Sequence, residues 1–123
     1  MLTIVALSIS ILIGAVGLGT EAASWYATKR AMQVAADLAA ESAVVAMQAG
    51  ANKTTLTSEA KATTALQHYP DGVNNIAVTV NNPPLSGSNS GKTNAVEVII
   101  AQPAPLLFSS LFLSSSPTIM ARA

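Results

Sequence analysis

Met1–Thr20, MLTIVALSISILIGAVGLGT, carries no charged side chain; the first is Glu21. At 1.5 Å per residue, about 20 helical residues span the ~30 Å hydrocarbon core of a bilayer. A secretory leader places a basic segment ahead of its apolar run, whereas the first cation here is Lys29. The stretch therefore reads as the apolar helix of a chain whose basic leader has been removed, or whose orientation is set by features outside it. Such a helix is either held in a membrane or buried by copies of itself.

Half of the 123 residues are hydrophobic and only 10% are charged, against about 25% in ordinary soluble domains. The formal net charge is zero, so no basic face is available to recruit nucleic acid. The absence of cysteine excludes disulfides and thiolate metal sites, which leaves packing against neighbours as a source of stability outside the cell.

The pattern divides at about residue 50 and predicts an α+β protein. Residues 1–50 form one long helix, without proline and rich in alanine after Glu21. Its first half, 1–20, is a membrane or filament-core segment. Gly14 and Gly17 permit close approach of helix backbones, with Ser10 and Gly14 as a small-xxx-small pair. Beyond Trp25, Met32, Ala35, Ala39, Ala43 and Ala46 recur at spacings of three and four, which is one helix face. Gly50 and Asn52 mark the stop.

Residues 51–123 form a small exposed head. Thr57 to His68 reads as a second helix, with Thr57 or Ser58 as its cap, and Tyr69-Pro70-Asp71-Gly72 as the turn that ends it. Asn75–Val80 alternates with Ile76, Val78 and Val80 on one face. Ala95–Ala101 is rich in β-branched residues, and the two runs pair antiparallel across a Pro/Gly/Ser loop at 82–94. Pro105–Leu113 is a short helix or packed coil, and Pro117–Ala123 a last strand with Ile119 and Ala121 on one face.

Catalytic chemistry is sparse. His68 is the lone histidine, at a helix end beside a turn, and reads as a solvated or capping residue. HExxH and G-x-S-x-G patterns are absent, and Gly87-Ser88-Asn89-Ser90-Gly91-Lys92-Thr93 lacks phosphate-loop spacing. No enzyme activity, cofactor or metal is expected. Asn52-Lys53-Thr54 fits the N-glycosylation pattern. Glu21 has two readings: a carboxylate at headgroup level, or a buried partner for Lys29 or Arg30 of another copy, since an unpaired buried carboxylate is costly. Trp25 and Tyr26 suit an interfacial aromatic belt, or else wedge the helix against the head. The surface assigned to helix packing and assembly comprises Leu2, Val5, Ile9, Leu12, Gly14, Gly17, Glu21, Trp25, Tyr26, Met32, Ala35, Ala39 and Ala43.

Gly14-x-x-Gly17, Glu21, Trp25-Tyr26 and Met32-Gln33-x-Ala35-Ala36-Asp37-x-Ala39-Ala40 resemble the N-terminal region of TadG-like and TadE-like proteins of the Tad (Flp-type, tight adherence) branch of type IV pilus systems. Val80-Asn81-Asn82-Pro83-Pro84, Ala95-Val96-Glu97-Val98, Pro105-Leu106-Leu107-Phe108 and Met120-Ala121-Arg122-Ala123 extend the resemblance downstream. It implies an envelope protein with an N-terminal membrane helix, tied to pilus assembly or adhesion. Type IV pilins usually keep a glutamate at the fifth mature residue; Val5 stands here. The expected function is a pilin-like subunit, first in the inner membrane and then in an extracellular homo-oligomeric filament built by Tad-type machinery. The alternative is a membrane-anchored assembly factor or minor pilin that never polymerises.

Overall fold

The computed structural model describes Met1–Ala123 apart from the side chain of Leu2, so the assignment of Leu2 to the packing surface lies outside the described residues. Helix α1 runs from Leu2 to Gln48, about 70 Å at 1.5 Å per residue. Its two halves live in different environments. From Ile4 to Leu18, nine large apolar side chains are more than 40% exposed, spread over the helix surface outside the face of Ser10, Gly14 and Gly17. From Met32 onward, one stripe is buried: Met32, Ala35, Ala36, Ala39 and Ala43 are fully covered. Alanine there lets the helix axis lie close to the head, while Lys29, Arg30 and Glu41 stay outside.

The helix stops because Gly50 takes a left-handed conformation (φ +83°). This lets the Ala51 N–H reach Ala46 O and the Gly50 N–H reach Met47 O, the glycine-ended closure that satisfies otherwise orphaned carbonyls. Asn52 then starts α2 (Lys53–Leu66) by accepting a hydrogen bond from the Thr55 N–H at 2.9 Å. The second helix thus begins four residues before the Thr57 start read from the sequence, and neither Thr57 nor Ser58 is its cap. The physical reason is that glycine alone ends α1, which leaves Asn52 free to cap the next helix. Asn52→Ala is expected to cost about 1 kcal/mol in urea unfolding of the detergent-held chain; unchanged stability would contradict the cap.

Three strands, β1 (Ala77–Asn81), β2 (Glu97–Pro103) and β3 (Thr118–Arg122), form an antiparallel sheet in the order β1-β2-β3. Val78 pairs with Ile100 and Ile100 with Ala121, so buried side chains of all three strands share one face. The sequence placed these strands within two residues of their observed bounds. The first begins late because Asn74 and Asn75 adopt left-handed conformations. The sheet face packs on the alanine stripe of α1, and α2 contributes Leu56 and Ala60 to the same core. Pro105–Leu113 is mostly irregular, with one 3-10 turn at Ser109–Leu111.

Candidate functional site

Where the exposed apolar half of α1 meets the head, Gly17, Glu21 and Trp25 lie four residues apart and so share one helix face. The segment between β2 and β3, residues 104–116, folds back over that face. Trp25 Nε1–H donates to Pro105 O at 2.9 Å. The Leu107 N–H donates to Glu21 Oε1 at 2.8 Å, the Ser109 N–H to Oε2 at 2.7 Å, and the Ser109 hydroxyl to Oε1 at 2.6 Å. Glu21 is only 3% exposed. Three donors converging on two acceptor oxygens is the arrangement of an ionised carboxylate, since a protonated one would bring a further donor into the cluster. One turn below, the Phe108 ring covers Gly17, where an added Cβ would lie 2.8 Å from the ring. Glycine is needed at position 17 for this contact.

Glu21 is therefore buried, with hydrogen-bond partners from its own chain at both oxygens. Trp25 wedges between helix and head, half-buried, while Tyr26 is exposed. Gly14, by contrast, is open: nothing lies within 4 Å of a Cβ built there. Val5, Ile9 and Leu12 are exposed, whereas Met32, Ala35, Ala39 and Ala43 are spent inside the head's own core. The assigned packing surface thus separates into an open N-terminal part, an intramolecular clasp and an intramolecular core.

A second buried carboxylate went unread in the sequence. Glu97, 2% exposed at the start of β2, pins the 82–94 loop to the sheet. Arg122 Nε lies 2.6 Å from its Oε1, and Ser86 Oγ–H donates to the same oxygen at 3.0 Å. Asn81 Nδ2–H and the Leu85 N–H donate to Oε2 at 2.8 and 3.2 Å. Asn82 fastens the far end of the loop through the carbonyls of Thr93 and Ala95. The available signal was a lone acid inside the β-branched run Val96–Ile100. Burial pushes the Glu97 carboxyl upward, but these hydrogen bonds and the Arg122 charge outweigh it and hold it below the usual range. Asp71 is held low by the hydrogen bond from Lys61, by the Val78 N–H and by the lysine's charge.

Both carboxyls titrate lower folded than unfolded, so the unfolded chain binds more protons as pH falls. Their stabilisation is complete above the ordinary Glu and Asp values, about 4.3 and 3.9, and is lost as pH drops through the folded values. Urea unfolding in a non-ionic detergent is expected to show lower stability at pH 3 than at pH 7; equal midpoints would contradict these networks.

No protein-family model, curated protein or solved structure matches the chain. Its chemistry rests on geometry alone. No group of three or more His, Cys, Asp or Glu side chains is placed to hold a metal among the described residues. His68 sits exposed after α2 with φ +71°. What the molecule presents is a helix long and apolar enough to cross a membrane, joined to a head fixed at the boundary of the apolar segment.

Proposed function

We propose that this chain is a structural, pilin-like subunit, held in the inner membrane by residues 1–20 and then assembled through them into an extracellular filament for surface attachment. The observation that carries this reading is the exposure of nine large apolar side chains of α1 between Ile4 and Leu18, on a helix continuous with the head. Burying one Leu- or Ile-sized side chain away from water is worth about 1.5–3 kcal/mol, so lipid or neighbouring copies must cover this surface. Between lipid and copies the apolar gain vanishes, and small residues must provide the contacts. Assembly therefore needs outside work, which Tad-type machinery would supply.

The covering of Gly17 by Phe108 favours one second reading, that of a membrane-anchored assembly factor or minor subunit, because it removes one glycine from close helix approach. Gly14 remains open. Negative-stain imaging of sheared surface material is the test. The filament reading expects fibres containing the chain, and retention in the membrane fraction alone would overturn it in favour of the anchor. Gly14→Leu is expected to leave the head folded, since nothing packs there, and to lower fibre yield. Undiminished yield would count against packing through this glycine.

A further inference from the structure

We propose that the 104–116 segment is a second, interfacial membrane contact, whose apolar tip enters the acyl-chain boundary of the bilayer beside α1. The proposal rests on the reading that α1 is membrane-held. Its first support is position. The clasp fixes the segment at Glu21, and Phe108 lies against Gly17, about 6 Å further along the helix axis into the apolar half. A groove shared by Phe108 with Leu12, Ile13 and Val16 extends still deeper. Phe108 therefore lies at the level of helix residues within the apolar half.

Its second support is composition and exposure. No charged side chain occurs from Val98 to Ala121. Leu111 and Phe112 are each 78% exposed and Leu107 68%, an expensive surface to leave in water but ordinary at a lipid boundary. The third support is that most of the tip's backbone N–H groups find partners within the chain. The amides of Leu107 and Ser109 go to Glu21, those of Leu111 and Phe112 to the carbonyls of Phe108 and Ser109, and the Ser110 hydroxyl to Leu107 O. Irregular backbone enters a low-dielectric region only when its polar groups are satisfied in this way. The carboxylate at the membrane boundary is covered by the same three donors, so the clasp makes both Glu21 and the loop tolerable at that depth. The first cations, Lys29 and Arg30, are exposed further toward the head, on the side where lipid phosphates lie.

The chain has no cysteine, so single sites can be labelled. Full-length Phe112→Cys, Leu12→Cys and Ser88→Cys chains carrying an environment-sensitive fluorophore are reconstituted at high lipid excess. The vesicles contain phosphatidylcholine and phosphatidylglycerol, with and without lipid brominated near the carboxyl end of its acyl chains. The label at 112 is expected to emit in the blue and to be quenched as strongly as that at 12, while the label at 88 remains water-like. A quenched label at 12 with a water-like one at 112 would overturn this inference alone. A blue but unquenched label at 112 would overturn it in favour of cover by a second copy. Absence of quenching at both 12 and 112 would overturn it together with the membrane-held reading.

Discussion

Glu21→Gln is expected to release the 104–116 segment from α1 while leaving the sheet and the alanine-lined core in place. Glutamine keeps the shape but replaces one acceptor oxygen with an NH2 group. That amide would confront the N–H of Ser109 or the donors of Leu107 and the Ser109 hydroxyl, which now converge on the carboxylate. Charge-assisted hydrogen bonds are about twice as strong as neutral ones, and a buried donor without a partner is costly. Hydrogen exchange of the Leu107 and Ser109 amides should accelerate by at least about tenfold, and protease should nick the chain between residues 106 and 113. Amides of β2 should be unaffected. Unchanged protection at Leu107 and Ser109 would mean that Phe108 packing on Gly17, not the carboxylate, holds the segment.

Met32→Ala is expected to weaken the head by about 2–5 kcal/mol, the range for truncating a fully buried Leu, Ile or Met side chain. Met32 has no exposed surface and is the largest of the fully buried side chains. It lies on the same buried stripe of α1 as Ala35, Ala36, Ala39 and Ala43, whose short side chains cannot move in to fill the space. Urea unfolding followed by Trp25, the only tryptophan, measures the loss. Val45→Ala is the comparison: Val45 is 60% exposed, and its truncation should stay within about 0.5 kcal/mol. Similar losses from the two variants would contradict a core organised on the Met32 stripe.

The parts of this structure legible in the sequence are those set by periodicity. Met32, Ala35, Ala39 and Ala43 could be placed on one face because the 3.6-residue repeat is local, and Ile119 and Ala121 because the strand repeat is two. The antiparallel pairing of β1 and β2 followed from one loop between two β-branched runs. What periodicity cannot report is which distant segment a polar side chain meets. Ser109 is 88 residues from Glu21, and nothing in the local pattern around either residue encodes the meeting. The only trace in the sequence is that Pro105–Leu113, like Met1–Thr20, carries no charged side chain. Glu97 was hidden for the same reason, since its partners come from the neighbouring strand, the following strand and a loop. The start of α2 was misplaced because Asn52 fits both a helix stop and a helix cap, and only the geometry at Gly50 separates the two.

These features give one physical account, in which the head uses the second half of α1 for its own core and leaves the uncharged first half for others to cover. The most direct measurement is cysteine cross-linking of the Ile9→Cys chain in sheared surface material, with Ser88→Cys as the comparison. Ile9 is exposed on the apolar half and Ser88 lies on the 82–94 loop. The account predicts disulfide-linked dimers through position 9 and few through position 88. Linkage through position 88 without linkage through position 9 would contradict assembly through the helix.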